Sequence, residues 1–378
     1  MAGGGLMKDF LKTYKMKLTT VGPVFIGSGR EINKKEYVSY SRDKSKFGIV
    51  NIEKLYSFFR KKGLGQEFEE FILNGKEDLN KWLYKHDFRT SDISECMRYE
   101  LSCTNYNDDK GTRLQIMEFV KDAYGMPYIP GTSLKGMFRT IFLAADIIDS
   151  ALGNREKYKQ DKGAFENAVK TEKGKSMLNR EMQQLEGNYY RRLNRPETKP
   201  NDAVNDIMSG FVVSDSAPLK LDDIVLCQKI ERHTDGTEKK LNLLRECIKP
   251  GTDIYFNITV DESICSFDKD DIFYAVQQFN ECYNKCFVSK FKKMELLKDD
   301  YVILGGGSGF VSKTIIYPLF VERIGLDMAR DIFMKTGVPR EHKHNLDGNY
   351  GVSPHIIKCT KYQDNTMQMG LCRLECEA

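Results

Sequence analysis

The chain has 378 residues, of which 40% are hydrophobic and 30% charged, and its formal net charge is +4. That apolar content excludes an intrinsically disordered chain, and the length suits two domains better than one. No run approaches the roughly 18 apolar residues of a membrane span, and no apolar signal core follows a basic start, so a cytoplasmic protein without a membrane partner is expected.

Residues 1–6 carry no periodicity, and the fold is expected to begin near Thr13. From Tyr14 to Val21, Met16, Leu18 and Thr20 alternate with Lys15, Lys17 and Thr19, the period of a half-buried strand. Gly22-Pro23 ends it. Gly27-Ser28-Gly29-Arg30 then offers a backbone that can pass close to a ligand, although a hairpin or bulge accounts for the same glycines. Asn51 is placed to cap a helix bearing Ile52, Leu55, Tyr56 and Phe59 and ending at Gly63. Shorter helical patterns cover Phe68–Leu73 and Leu114–Val120. The strongest helix follows Gly131-Thr132-Ser133, with Leu134, Met137, Phe138, Ile141, Phe142 and Ala145 in one stripe and Lys135 and Arg139 off it.

Residues 150–206 are polar and turn-prone, and they read as a mobile, partly helical insertion. Between Arg155 and Asp202 stand 12 Lys/Arg against 8 Asp/Glu, which is the whole basic surplus of the chain. Within it, Tyr189-Tyr190-Arg191-Arg192 suits stacking on bases and gripping phosphate, although a solvated helix face explains the same residues more simply. Strand-like runs follow at Phe211–Val213, Ile224–Ile230 and Ile254–Val260, then a helix over Ile272–Phe287. Val302-Ile303-Leu304 leads into Gly305-Gly306-Gly307-Ser308-Gly309, and a last strand is predicted over Met367–Cys376. This mixture predicts an α+β fold, divided into residues 13–222 and 223–378.

At Gly131-Thr132-Ser133-Leu134-Lys135, a helix start brings free N–H groups, two hydroxyls and a lysine together, a phosphate site in chemical terms; Ser133 as an ordinary N-cap explains the same residues. No G-x-x-x-x-G-K-S/T order occurs, so nucleotide hydrolysis has little support. The Gly305 to Gly309 loop, with Lys313 behind it, is a poor entropic choice unless a ligand or neighbouring backbone approaches. His342 and His344 can serve as base and acid or hold a metal, but a solvated charged loop explains them more simply. His86, His233 and His355 read as surface residues. Ten cysteines without a C-x-x-C pair read as reduced thiols, and Cys282/Cys286 and Cys372/Cys376 as core thiols rather than zinc ligands. Ser214-Asp215-Ser216 reads as a turn held by side-chain hydrogen bonds. No metal, cofactor or catalytic residue is expected.

Four segments, in order, resemble the RAMP superfamily of CRISPR proteins: Gly22-Pro23-x-x-Ile26-Gly27-x-Gly29, Tyr128-Ile129-Pro130-Gly131-x-Ser133-Leu134-Lys135-Gly136-x-x-Arg139, Val213-Ser214-Asp215-Ser216, and Leu304 through Gly309. From about Lys12 the chain is similar to the family's type III-A (Csm) subunits, which end the effector filament and cap the 3′ side of the guide RNA (crRNA). Residues 150–206 and 335–366 carry no family motif. The resemblance implies two ferredoxin-like, RRM-related domains with helical insertions, holding an RNA backbone without reading its bases. Its candidate RNA contacts are Gly27, Ser28, Gly29 and Arg30; Gly131, Thr132, Ser133, Lys135 and Arg139; Arg191 and Arg192; and Gly305, Gly306, Gly307, Ser308, Gly309 and Lys313. The implied partners are the crRNA 3′ region, the repeated backbone subunit of the filament, the small helical subunit and a host ribonuclease that trims crRNA. The rival reading is a RAMP-type endoribonuclease that processes guide precursors.

Overall fold

The computed structural model describes residues 10–40, 45–103, 115–200 and 202–377. The strands of the first half are β1 (Leu11–Thr20), β2 (Gly27–Ile32), β3 (Tyr37–Ser39), β4 (Lys46–Val50), β5 (Met97–Cys103), β6 (Ile116–Phe119) and β7 (Phe211–Val213). Those of the second are β8 (Ile224–His233), β9 (Glu238–Ile248), β10 (Asp253–Asp261), β11 (Tyr301–Ile303), β12 (Ile356–Tyr362), β13 (Asn365–Gln368) and β14 (Leu371–Cys376). The helices are α1 (Ile52–Lys61), α2 (Gly65–Asn74), α3 (Leu79–Lys85), α4 (Gly131–Gly153), α5 (Arg155–Thr171), α6 (Asn179–Tyr190), α7 (Lys269–Cys286), α8 (Ile316–Phe320), α9 (Glu322–Lys335) and α10 (Asp347–Tyr350).

Met16, Leu18 and Thr20 of β1 are buried, as the alternation predicts. Both edges of β1 are paired: Met16 faces Phe256 of β10 and Cys376 of β14, each antiparallel. The resulting five-stranded sheet runs β11-β14-β1-β10-β7. It is covered by α4 and α7, with Phe138 of α4 packed on Phe211 at 5.8 Å and Phe256 at 6.5 Å between ring centroids. A nine-stranded sheet runs β2-β6-β9-β8-β5-β4-β3, with β12 and β13 annexed through β8. Two curled sheets with helices make the expected α+β fold, two ferredoxin-like units with helical insertions. The boundary at 222/223 does not separate the sheets: β1 and β7 share one with β10, β11 and β14, because both edges of β1 are satisfied by strands from the second half. Among the described residues no helix is long and apolar enough to cross a membrane.

The first insertion, α1 to α3, has its own core, in which Phe59 packs on Trp82 at 4.7 Å and on Phe68 at 5.0 Å. Asn51 caps α1 as expected, its side chain accepting from Lys54 N–H. Three expectations change. Leu114 lies outside the described residues, and residues 115–120 are not helical: β6 occupies Ile116–Phe119, since pairing with β2 and β9 outweighs a short helical pattern. Met367–Cys376 is two strands, broken where Gly370 N–H turns to Pro23 O. The 150–206 insertion is packed: Phe165, Val169, Leu185, Tyr189 and Tyr190 of α5 and α6 belong to the main core.

Successive residues of β9 face opposite ways, and this sets the polarity of the nine-stranded sheet. Glu246 is fully buried and accepts from Phe119 N–H (2.9 Å), the Tyr99 hydroxyl (2.7 Å) and Lys121 Nζ (2.5 Å). Lys121→Met strips that carboxylate of its cation and is expected to cost about 3 kcal/mol in urea unfolding. Lys121→Met with Glu246→Leu should recover most of the loss; unchanged single-variant stability would show that the pair is not coupled.

Candidate nucleic-acid interface

The start of α4 is capped from a distance. Gly131 N–H donates to Asp215 Oδ1 at 2.7 Å, and Pro130, not Ser133, occupies the N-cap position. Asp215 is held in place by its neighbours: the Ser214 hydroxyl donates to Asp215 O (2.8 Å) and accepts from Asn257 N–H (3.0 Å), and the Ser216 hydroxyl accepts from Ile129 N–H (2.9 Å). Ser214-Asp215-Ser216 makes the expected side-chain hydrogen bonds but is not a turn: it continues from β7 alongside β10, with Ser214 N–H donating to Asn257 O and Ala217 N–H to Tyr255 O, and it anchors the helix. Gly131 must be glycine here, because a Cβ would lie 2.3 Å from Val213 O. Ser133 takes no part in the cap and its side turns to a cleft.

The second wall is the Gly305 to Gly309 loop. Gly305 has φ +83°, and a Cβ on it would lie 2.3 Å from Phe25 O, while Gly306 N–H donates to that oxygen at 2.6 Å. Leu304 N–H donates to Gly370 O (2.8 Å), and Gly370 N–H donates in turn to Pro23 O (2.8 Å). Three chain segments are therefore knit by backbone alone. Between them and α4 lies a cleft of about 280 Å³, lined by Ile26, Gly27, Ser133, Gly136, Met137, Thr140, Ile303, Leu304, Gly305, Gly306, Ser312 and Lys313. The glycine segment after β1, the α4 start and the late glycine loop meet there.

Arg245 of β9 is the charged residue that sequence reasoning missed. Its Nη1 stands 2.7 Å from where a Gly307 Cβ would be, and its guanidinium lies over the Phe25 ring at 5.4 Å. Its Nε is buried without a hydrogen-bond partner, and no carboxylate pairs with it among the described residues. Burial pushes its pKa down. Desolvation, then the Arg245 charge, lowers that of Lys313 as well. Lys358 passes beside Gly309, and it shares the single carboxylate of Glu231 with Lys229, at 2.5 and 3.8 Å. Four cations against one acid leave a positive rim on the glycine loop. Arg245 and Glu246 interrupt the run Leu243-Leu244 to Cys247-Ile248 by two polar positions; only the fold, which brings Gly307 across, distinguishes Arg245.

Other expected contacts are engaged elsewhere. Arg30 pairs with Glu36 (2.6 Å) and reaches Glu118 (3.9 Å), while Ser28 and Gly29, beyond the cleft-lining Gly27, are exposed on β2 at a bulge against β6. Lys135 Nζ donates to Met208 O at 2.7 Å, and burial lowers its pKa. Arg139 bridges Glu186 and Asp206, both at 2.9 Å, beneath the Tyr190 ring at 4.3 Å. Thr132 is exposed beside the cleft. Arg191 bridges by its backbone to Asp206 and Arg192 is exposed, but Tyr189 and Tyr190 are buried and cannot stack on bases: the Tyr190 hydroxyl donates to Arg139 O (2.6 Å) and that of Tyr189 to Ser150 Oγ (3.2 Å). His344 and His355 are not surface residues either; both are buried against Asp347.

The profile of the RAMP superfamily matches residues 17–309. The chain belongs to the RAMP superfamily. This RAMP protein is 27% identical to "CRISPR system Cms protein Csm5" of Mycobacterium tuberculosis, over 97% of this chain and 98% of that protein. It is 28% identical to the protein of that name in Streptococcus thermophilus, over 87% and 86%. Among solved structures it is similar to a chain of a Csm-crRNA-target RNA ternary complex of a type III-A system (TM-score 0.62, 20% identity, 96% of this chain and 100% of that one). It is also similar to T. onnurineus Csm5 (TM-score 0.58, 18% identity, 94% and 99%).

Arg139→Glu sets a third carboxylate between Glu186 and Asp206 and removes the cation from Tyr190. It is expected to lower stability by about 2 kcal/mol, read as a drop in melting temperature, whereas Thr132→Glu leaves melting unchanged. Equal melting of Arg139→Glu and the parent would show that Arg139 stands on a free surface.

Proposed function

We propose that this chain is a non-catalytic guide-RNA-binding subunit of a type III-A CRISPR effector complex, capping the crRNA at its 3′ end. The observation that carries the reading is the meeting of three glycine-bearing segments in one cleft beside Arg245 and Lys313, cations without carboxylate partners among the described residues. Backbone N–H groups, hydroxyls and unpaired cations bind phosphates whatever the base, as a protein handling arbitrary guide sequences requires. The similarity to a chain of a solved Csm-crRNA-target RNA complex supports crRNA as the ligand and other Csm subunits as neighbours. Neither histidine nor carboxylate is among the residues lining the cleft, so the acid–base pair that a histidine-dependent cleavage needs is not among them. That favours a binding role over the endoribonuclease reading. The repeated backbone subunit, the small helical subunit and a trimming ribonuclease remain the partners this role assigns.

The test is fluorescence anisotropy with labelled single-stranded RNAs of unrelated sequence across a salt series. Arg245→Gln with Lys313→Gln is expected to weaken binding alike for every sequence and to flatten the salt slope by about two, with melting unchanged. A folded double variant that binds like the parent would move the RNA path away from this cleft.

In reconstitution of the effector complex, omitting this chain is expected to leave the backbone filament assembled on crRNA with heterogeneous 3′ ends. Uniform, correctly trimmed 3′ ends without it would contradict the capping role.

A further inference from the structure

Four of the five histidines gather at one place that the RNA cleft does not use. His344 and His355 lie 5.8 Å apart between ring centroids, with His342 6.0 Å from His344 and His233 5.7 Å from His355. At the centre is Asp347, fully buried. Its Oδ2 lies 3.0 Å from His344 Nδ1 and accepts from the Ser353 hydroxyl at 2.6 Å; its Oδ1 lies 2.5 Å from His355 Nδ1. Among the described residues no lysine or arginine pairs with it. A carboxylate buried this deeply without a cation costs several kcal/mol.

The same atoms are a metal donor set. One ligand atom each from His344, Asp347 and His355 lie within 4.8 Å of one another, all three residues buried. A tetrahedral ion with bonds of about 2.0–2.2 Å sets its ligands roughly 3.3 Å apart, a small outward shift from the hydrogen-bonded separations. The rings are already oriented: His344 stacks on Phe333 at 4.1 Å and His355 on Tyr350 at 4.8 Å. His344 opens the turn that leads into α10 and Asp347 is the first residue of α10, one helical turn on, and His355 returns from the far side of the Ser353-Pro354 corner just before β12.

We propose that His344, Asp347 and His355 bind a divalent transition-metal ion, with the Ser353 hydroxyl or a water completing four ligands. Two imidazoles and one carboxylate favour Zn²⁺ over Mg²⁺ or Ca²⁺, which prefer all-oxygen shells. The ion neutralises Asp347 and staples the segment between α9 and β12. His344 also lines a second cavity of about 180 Å³ with Ser308, Gly309 and Lys358, so the staple braces the glycine loop from behind.

The test uses the full chain purified without chelator. Elemental analysis by plasma mass spectrometry is expected to find about one zinc per chain. Chelator-stripped protein should take up one equivalent of ZnCl₂ in competition with a chromogenic chelator, and EDTA should lower the melting temperature. Asp347→Asn, which keeps the volume and one acceptor, should lose at least about tenfold in zinc affinity and its EDTA response; His342→Ala, outside the ligand set, should keep both. Zinc-edge X-ray absorption on the parent should show N/O ligands. A parent that neither carries nor takes up zinc and melts alike with EDTA would overturn the proposal, leaving a hydrogen-bonded His-Asp-His cluster. So would sulfur ligation, or an Asp347→Asn variant that binds zinc like the parent.

Discussion

The carbonyl oxygen of Phe25 is the point on which the cleft depends. Gly306 N–H bonds to it at 2.6 Å, and Gly305 approaches so closely that no side chain fits between. The same junction continues through Leu304 to Gly370 and from Gly370 to Pro23, so the end of β11, the turn before β14 and the segment between β1 and β2 are fixed to one another by main-chain bonds. Because β11 and β14 belong to the five-stranded sheet and β2 to the nine-stranded one, this junction ties the sheets together and sets one wall of the cleft. Glycine's entropic cost at position 305 is offset by a close backbone approach to Phe25 O that only a residue without Cβ can make.

Charge is distributed around that junction in two ways. On one face of β9, Glu246 is enclosed by three donors and serves stability. On the other, Arg245 keeps a buried Nε without a partner and lies beside the glycine loop. An unsatisfied buried donor costs about 1–3 kcal/mol, a cost a folded protein carries where a ligand later supplies the acceptor. A phosphate oxygen is such an acceptor, and the neighbouring Lys313 adds to the same field.

Much of this was legible in the sequence. Alternation in β1, the Asn51 cap, the apolar stripe of α4 and the glycine spacing each have a local physical cause, and all appear where expected. What escaped depends on residues far apart in the chain. Arg245 and Gly307 are brought together only by the packing of the glycine loop on β9, and Arg139 looked solvent-facing because Glu186 and Asp206 come from the insertion. The tyrosines before Arg191 suited a stacking surface or a solvated helix face in sequence, yet both pack into the main core. His344 and His355 stood in polar surroundings in sequence, yet Asp347 draws both inward. Local pattern reads elements well, but the partner of a charged side chain is a tertiary property.

The central claim, that RNA runs along the cleft between α4 and the late glycine loop, is tested most directly by hydrogen–deuterium exchange with and without bound single-stranded RNA. Protection should rise together over residues 25–30, 131–137 and 303–313, while α5 and α6 exchange as before. Protection confined to residues 155–200, with the glycine loop unchanged, would contradict it and place the RNA on the basic insertion.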